Sequence, residues 1–365
     1  MIGPYNIIRL IGSGGMGSVY EAFNPQIERR AAIKTLSKEF QQDAEFIQRF
    51  FNEARAVNII NHPSVVTVYD FGTADDGSPY IVMEYLQGET LRQQMNKSGR
   101  MDPVRAMKTF RQIASGLAAA HAKKIVHRDL KPGNILIVTD PDGPDGERAK
   151  ILDFGIAKLA ADPSAKALTR MGVSMGTPAY MSPELCRDAR EVTDRSDVYS
   201  LGVMLFEMLA GQPPFIAPGA GELIGRHLFQ EPPPLRRLAP EAPAELAALV
   251  HRLLIKDKLQ RPAMSQVVTE LHALQTKLPG GLLPNRRTPR PENLPAAATA
   301  VKANRRRREL VSTLSRLLGE VGPRPSARPV ALAGLAVFLL VALVGTGVYR
   351  HYASGRREIG RASCR

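Results

Sequence analysis

The chain has 365 residues, long enough for one large two-lobed domain or two ordinary ones, and a net charge of +14. The basic excess is localised, because residues 1–276 carry 32 basic and 31 acidic residues whereas residues 277–329 carry 12 and 3. A nearly neutral folded part argues against a nucleic-acid-binding protein. The two cysteines, Cys186 and Cys364, and the seven histidines show no disulfide framework and no zinc-ligand spacing.

The first motif is the glycine-rich segment IGSGGMGSVYEAF. Its Gly12, Gly14 and Gly17 form the G-x-G-x-x-G pattern that dinucleotide-binding folds also use. Those folds continue into a helix, whereas SVYEAF is rich in β-branched and aromatic residues and predicts a strand. We therefore expect a hairpin whose backbone N–H groups bind phosphate oxygens, with Ile11 and Val19 placed to cover an adenine ring. A plain glycine-rich turn is the alternative.

A lysine and a glutamate follow in segments of different type. Lys34 ends the apolar stretch AAIK, and Glu53 lies in RFFNEARAV, where apolar residues recur at helical spacing. A buried lysine needs an anionic partner. We therefore predict that Glu53 pairs with Lys34 across a strand–helix contact.

Two later apolar segments, IVHRDLKPGNILIV and ILDFGIAK, are interrupted by charged and amide side chains that a plain core would not contain. Each of these residues alone would suit a capped turn, but their joint order and spacing favour a functional site. The residues are Asp129, Lys131, Asn134 and Asp153.

With these motifs the chain resembles a Hanks-type, eukaryotic-like serine/threonine protein kinase of bacteria, over about residues 5–275. The resemblance implies an α+β fold with a β-rich N-lobe at residues 1–86 and a mainly helical C-lobe at residues 87–275. It also implies ATP binding, with Met83 as gatekeeper before the hinge. The positions that it assigns to ATP are Ile11, Gly12, Ser13, Gly14, Gly15, Met16, Gly17, Val19, Ala32, Lys34, Met83, Glu84 and Leu86.

The same resemblance implies roles in catalysis. Lys34, oriented by Glu53, would bind the α- and β-phosphates, and Asp129 would orient the substrate hydroxyl and accept its proton. Lys131 would lie near the γ-phosphate as charge develops there. Thr177 would complete the site for serine or threonine hydroxyls beside Asp129 and Lys131.

The resemblance also implies metal ligands and structural residues. Asn134 and Asp153 would hold Mg²⁺, with Mn²⁺ as an alternative, because such cations prefer hard oxygen ligands. Glu184, in a Ser-Pro-Glu variant of the usual Ala-Pro-Glu, would form a buried ion pair with Arg261. Asp197 matches the aspartate of the family's later D-x-Y-S-L-G motif and would be structural.

The implied function is transfer of the γ-phosphate of ATP to serine and threonine hydroxyls of protein substrates, the kinase itself included, in membrane-linked signalling. The alternative is a pseudokinase or nucleotide-binding scaffold at the membrane. The loss of Lys34, Asp129 or Asp153 would be typical of a pseudokinase, and all three are present.

Regulation is implied by Arg128, which precedes Asp129. Relatives with that pair are commonly switched by phosphorylation of the activation segment, because a phosphate pairs with the arginine and orders the segment. Thr169 and Ser174 are the candidate sites. Many bacterial relatives have a second threonine where this chain has Met171, which weakens the case for a two-phosphate switch. A solvated loop with incidental hydroxyls is the alternative.

The last quarter of the chain has a different composition. Residues 276–329 are rich in Pro, Ala and Arg and predict a disordered juxtamembrane linker, whose Arg305–Arg308 run would contact anionic lipid or remain solvated. Residues 330–349 are uncharged and, at about 30 Å as a helix, predict one transmembrane helix. Because the kinase needs ATP, we expect a single-pass cell-membrane protein with a cytoplasmic kinase domain. The helix lacks a clear small-residue face, so a homodimer stays open.

Residues 350–365 would form a short extracytoplasmic stub. Its last eight residues, EIGRASCR at 358–365, match the in-frame translation of a common sequencing-adapter oligonucleotide. We therefore expect that this segment is not native, that Cys364 is an artefact, and that the natural chain continues past Arg357. The sequence does not specify the substrates or the activating signal.

Overall fold

The computed structural model describes residues 1–15, 17–141, 143, 146–155 and 178–277. Its first part contains the strands β1 Asn6–Gly14, β2 Gly17–Asn24, β3 Arg29–Leu36, β4 Val68–Thr73 and β5 Pro79–Glu84. They form one antiparallel sheet in the order β1-β2-β3-β5-β4. The strand predicted after the glycines is β2, and its pairing with β1 confirms the predicted hairpin.

One helix, α1 Ala44–Ile60, packs against this sheet. Asp43 caps its first turn, accepting hydrogen bonds from two backbone amides. Phe50 and Ala54 lie one turn apart on the buried face, and Glu53 lies on the same face. The amphipathic pattern of α1 therefore turns one carboxylate toward the sheet together with the apolar side chains.

The rest of the described chain is mainly helical. Its helices are α2 Leu91–Ser98, α3 Pro103–Ala122, α4 Pro183–Arg187, α5 Asp194–Ala210, α6 Ala220–Phe229, α7 Leu235–Leu238, α8 Ala244–Leu253 and α9 Met264–Lys277. Helix α5 is buried on almost every side, as its weakly amphipathic sequence requires. One apolar core extends from α1 through α3 and α5 to α9. The architecture is thus the predicted sheet-rich part followed by a helical part.

A small second sheet positions two of the predicted site residues. Its strands are β6 Gly88–Thr90, β7 Ile135–Thr139 and β8 Glu147–Ile151, in that order. Ile135 and Ile151 are cross-strand partners, so the chain just before β7 meets the chain just after β8. The Leu152 amide donates to the Asn134 carbonyl oxygen at 2.8 Å, which brings Asn134 close to Asp153.

Among these described residues, no helix combines the length and the apolar character that a bilayer span requires. The predicted transmembrane helix at 330–349, the C-terminal stub and all but the first two residues of the predicted linker lie outside the described part of the chain. The predicted boundaries between lobes, linker, membrane helix and stub therefore stay predictions.

Candidate active site

The glycine-rich hairpin borders a cleft of about 410 Å³. Predicted site residues that line this cleft are Gly12, Ser13, Gly14, Gly15, Gly17, Val19, Lys34, Glu53, Asp129, Lys131, Asn134 and Asp153. A Cβ added at Gly12 or Gly14 would meet nothing within 4 Å. The space beside the backbone at these two glycines therefore contains no other protein atoms. A Cβ at Gly17 would lie 1.8 Å from the Thr35 carbonyl oxygen, so only glycine permits this approach of β2 to β3.

Lys34 lies between two carboxylates. Its Nζ is 3.2 Å from Glu53 Oε1 and 2.9 Å from Asp153 Oδ1. The side chains of Lys34 and Glu53 are 14% and 8% exposed, whereas that of Asp153 is 48% exposed. Burial lowers the pKa of Lys34, but the two carboxylates raise it by more, so the ammonium stays charged. Lys34 in turn lowers the pKa of Asp153. The predicted Lys34–Glu53 pair is present, and Asp153 is a second partner that was not predicted.

Asp129, Lys131 and Asn134 form a hydrogen-bonded group in the same cleft. Lys131 Nζ is 2.9 Å from Asp129 Oδ2. Asn134 Nδ2 donates to the Asp129 carbonyl oxygen at 2.9 Å and to Oδ2 at 3.1 Å. Two neighbours therefore fix the orientation of the largely buried Asp129 carboxylate. An oriented carboxylate is what proton transfer from a hydroxyl requires.

The buried carboxylate of Asp197 supports this group. It accepts hydrogen bonds from the backbone N–H groups of His127 at 2.8 Å and Arg128 at 2.9 Å, and it lies 2.8 Å from His121 Nε2. Burial raises the pKa of Asp197, but these neighbours lower it by more. Arg128 has φ +67°, a backbone conformation that needs such support. Among the described residues Arg128 Nε is buried without a hydrogen-bond partner.

Glu184 and Arg261 form the predicted ion pair. Two hydrogen bonds join them, from Arg261 Nη1 to Oε1 at 2.7 Å and from Nη2 to Oε2 at 2.9 Å. Their side chains are 2% and 0% exposed. Ser196 Oγ donates to Glu184 at 2.6 Å, and Arg261 also donates to three backbone carbonyl oxygens. Burial raises the pKa of Glu184, but Arg261 and Ser196 together with a backbone hydrogen bond lower it by more.

Of the residues predicted for the adenine end, Val19 lines this cleft, whereas Ile11, Ala32, Met83, Glu84 and Leu86 are not among its lining residues. Ala32 on β3 is buried and lies opposite Met83 on β5. Ile11 on β1 is 40% exposed, and Leu86 packs against the apolar core. The structure thus places these four residues on the same sheet or just beyond it, without bringing them into the phosphate end of the cleft.

The Glu84 carboxylate is already engaged. Its Oε1 accepts hydrogen bonds from the Thr67 amide and from Lys150 Nζ, both at 2.7 Å. Lys150 was missed by sequence reasoning, although a lysine within the otherwise apolar end of β8 is a detectable signal.

Four predicted residues, Met16, Thr169, Ser174 and Thr177, lie outside the described residues. Their predicted roles stay predictions. Sequence reasoning also missed His121, whose only signal is its place in the last turn of α3, six residues before His127.

A glycine hairpin, a lysine held by two carboxylates and an oriented aspartate define a phosphoryl-transfer protein of the protein-kinase class. The protein kinase domain family model matches residues 5–272, and the chain belongs to this family. The match covers the sheet-rich part and nearly all of the helical part.

Curated relatives agree with the family. The chain is 39% identical to serine/threonine-protein kinase pkn2 of Myxococcus xanthus, over 79% of this chain and 34% of that protein. It is 37% identical to serine/threonine-protein kinase PknA of Mycobacterium tuberculosis, over 82% of this chain and 66% of that protein. The chain thus spans from about a third to about two thirds of the length of these relatives.

A solved structure agrees as well. The crystal structure of the Mycobacterium tuberculosis PknI kinase domain matches with a TM-score of 0.56 and 26% identity. The match covers 75% of this chain and 97% of that domain.

Proposed function

We propose that this chain is a serine/threonine protein kinase, which transfers the γ-phosphoryl group of ATP to hydroxyl groups of proteins. The observation that carries the proposal is the position of Lys34 between Glu53 and Asp153, in one cleft with the oriented carboxylate of Asp129. Phosphoryl transfer needs little covalent help from a protein, so placement and charge compensation are the main requirements.

Each cleft residue has a role in this proposal. Lys34 binds the α- and β-phosphates, and Glu53 keeps its ammonium in place. Asp129 orients the substrate hydroxyl. As the hydroxyl oxygen bonds to the γ-phosphorus, the bond from that phosphorus to the β–γ bridging oxygen breaks, ADP leaves, and the proton passes to the Asp129 carboxylate. Lys131, 2.9 Å from Asp129, offsets charge on the transferred group.

The donor set fits Mg²⁺. Asn134 uses its Nδ2 on Asp129, which leaves the amide oxygen as its metal-binding atom, and Asp153 presents a half-exposed carboxylate. Mg²⁺ is usually held by one or two carboxylates together with substrate phosphates. Consistently, the described residues contain no group of three or more His, Cys, Asp or Glu that would hold a metal alone. Bound Mg²⁺, or Mn²⁺ in its place, would neutralise phosphate charge.

The test uses ATP radiolabelled in its γ-phosphate, a generic basic protein as substrate and the 365-residue chain. We expect Asp129→Asn to abolish transfer while ATP binding, measured by calorimetry, stays within about twofold, because Asp129 acts on the hydroxyl. Asp153→Asn should also abolish transfer, but through weakened Mg²⁺-dependent ATP binding. Autophosphorylation by purified Asp129→Asn protein would contradict the assignment, and an inactive wild-type chain that still binds ATP would favour the pseudokinase alternative.

Phosphorylation of the activation segment is a second part of the proposal. It is supported by the buried Arg128 Nε, which has no partner among the described residues and is adjacent to Asp129. A phosphate on Thr169 or Ser174 would supply the anion for this guanidinium. Mass spectrometry of the active protein should find phosphate at one of them. Full activity of a Thr169→Ala, Ser174→Ala double variant would refute the switch.

Membrane attachment is the third part, and it rests on sequence alone. The uncharged residues 330–349 support a single span, with the kinase part and the Arg305–Arg308 run on the cytoplasmic side. Contact with anionic lipid, and self-association in the membrane, would follow from this anchor. Protease treatment of intact cells should leave the kinase part undigested, and its digestion from outside would refute the topology.

A further inference from the structure

A buried carboxylate outside the cleft joins the glycine-rich hairpin to the segment after β5. Glu21 on β2 is 1% exposed. It accepts hydrogen bonds from Arg9 Nε at 2.8 Å and from the Tyr85 hydroxyl at 3.0 Å, and it forms an ion pair with Arg30. The Arg30 guanidinium also lies over the Tyr85 ring, 4.7 Å from its centroid. One carboxylate thus connects β1, β2, β3 and the residue that follows Glu84.

The strand register places this carboxylate beside the nucleotide cleft. Arg9, Glu21, Ala32 and Met83 are successive cross-strand partners, so their side chains lie in one row on one face of the sheet. Side chains two positions apart on a strand share a face, so Val19, which lines the cleft, is on the same face as Glu21. Glu21 is therefore two residues along β2 from Val19, on the face of the strand that borders the cleft.

The hairpin is joined to the rest of the sheet by backbone pairing and by apolar packing. Among the described residues, β1 is at the edge of the sheet and pairs with β2, which in turn pairs with β3. Ile7 and Ala22 of the hairpin also pack in one apolar cluster with residues of β3 and β5 such as Val82. The hydrogen bond from Tyr85 to Glu21 adds a polar attachment to the segment after β5, between residues 64 positions apart. Arg9 extends it to β1, since its Nη2 also lies 3.2 Å from the Tyr85 hydroxyl.

We propose that Glu21 is a positioning residue, which holds the glycine-rich hairpin against the segment Glu84–Leu86 through Tyr85. The proposal rests on the ATP placement proposed above. In that placement the segment after β5 meets the adenine, and the hairpin meets the phosphates. The Glu21–Tyr85 bond then fixes the distance between the two ends of the nucleotide site. A charge-assisted bond of this kind is stronger than a neutral one, and burial makes it hard to replace by water.

The critical variant is Tyr85→Phe, which removes the hydroxyl but keeps the ring under Arg30. We expect about tenfold weaker binding of a non-hydrolysable ATP analogue, as loss of a hydrogen bond to a charged group implies, and an equal rise in KM for ATP. Binding of adenosine, which has no phosphates, should change by less than about twofold, and kcat at saturating ATP should stay within about twofold. Loss of a purely structural contact would instead weaken the binding of adenosine and of the ATP analogue to the same extent.

Three further variants of the 365-residue chain test the specificity of this result. Tyr69→Phe is the matched control, because Tyr69 is in the same sheet and its ring also lies under an arginine, Arg29. It should leave binding of both ligands unchanged. Glu21→Gln should resemble Tyr85→Phe, and the double variant should be no weaker than the worse single variant. Because Glu21→Gln leaves two arginines without their anion, Tyr85→Phe decides the matter if Glu21→Gln does not fold.

Two results would overturn the proposal: Tyr85→Phe binding the ATP analogue as wild type does, or losing adenosine and the analogue to the same extent. Lys34→Met separates this failure from that of the proposed function. If Lys34→Met weakens binding of the ATP analogue and Tyr85→Phe does not, the ATP placement stands and only the positioning role of the Glu21–Tyr85 bond is wrong. If Lys34→Met binds the analogue as tightly as wild type, the ATP placement itself is wrong.

Discussion

Two ion pairs of this chain, Lys34–Glu53 in the cleft and Arg261–Glu184 in the helical part, are both largely buried but are built differently. Arg261 is completely buried, binds Glu184 through two hydrogen bonds, and gives further donors to backbone carbonyls. Lys34 divides one ammonium between Glu53 and Asp153, whose side chain is half exposed.

The two pairs differ in whether the cation can still bind another anion. Among the described residues, all hydrogen bonds of the fully buried Arg261 are internal, so we expect the pair to contribute to the fold. Lys34 faces an open cleft in which phosphate oxygens can replace or join the half-exposed carboxylate. The helical pair should therefore control stability, and the cleft pair should control activity.

The largest expected effect is the loss of the helical pair. Arg261→Met should lower the free energy of unfolding by about 3–5 kcal/mol, because it leaves a buried carboxylate without its cation. Urea titration of the 365-residue chain measures it. A Glu184→Gln, Arg261→Met double variant should lose less than the sum of the single losses. A loss below about 1 kcal/mol, typical of an exposed pair, would remove the distinction drawn here.

The cleft pair should behave in the opposite way. Lys34→Met should lower the rate of phosphoryl transfer by about 10²–10³-fold, since it removes a cation placed against developing charge. Its effect on the free energy of unfolding should be smaller than that of Arg261→Met, because the cleft admits water to the remaining carboxylates. Lys38→Met, at an exposed lysine just after β3, is the control and should change neither quantity. Equal stability losses for Lys34→Met and Arg261→Met would contradict the comparison.

The helical pair should also make the free energy of unfolding depend on pH. Arg261 holds the pKa of Glu184 below its ordinary value of 4.5, so the folded state binds fewer protons there than the unfolded state. The stability that this provides is full above that ordinary value and is lost as pH falls through the lowered pKa. Urea titrations between about pH 5 and pH 3 should therefore show a steeper loss for wild type than for Glu184→Gln. Parallel losses would mean that Glu184 contributes no pH dependence.

The smallest effect concerns Cys186 in α4, two residues after Glu184. Burial raises the pKa of this thiol to about 12, and the nearby Glu184 carboxylate raises it as well. In a Cys364→Ser background, iodoacetamide at pH 8 should modify Cys186 slowly in the folded protein and quickly in urea, because the thiolate is the nucleophile. Arg261→Met should speed modification of the folded protein. Rapid reaction of the folded wild-type background would show that this region is not closed to water.

Two of the contacts that were predicted correctly have strong local signals. The glycine pattern followed by SVYEAF predicts the β1–β2 hairpin because glycine spacing and strand periodicity are properties of neighbouring residues. The partner of Lys34 was predicted because an isolated lysine in an apolar strand needs an anion and a helix nearby offered Glu53. The Glu184–Arg261 pair followed from resemblance, and the structure has it.

Other contacts had no such signal. The bond between Glu21 and Tyr85 joins residues 64 positions apart, and that between Lys150 and Glu84 joins residues 66 apart. Glu21 and Tyr85 alone have the sequence features of exposed polar positions, and Lys150, although it lies between apolar residues, does not indicate which carboxylate it meets. Asp153 as a second partner of Lys34 likewise depends on how β8 meets the larger sheet, which no short segment specifies.

By itself, the sequence determined the secondary-structure type of the glycine-rich hairpin and α1, the family, and which side chains have unusual chemistry for their apolar surroundings. These depend on local periodicity and on the cost of burying charge. Only the tertiary structure decided how the charges are shared: Lys34 between two carboxylates, Asp197 under two backbone amides, and Glu21 among Arg9, Arg30 and Tyr85. The physical reason is that a buried charge takes the partners that strand register and helix packing bring within about 3 Å, and distance along the chain does not limit that choice.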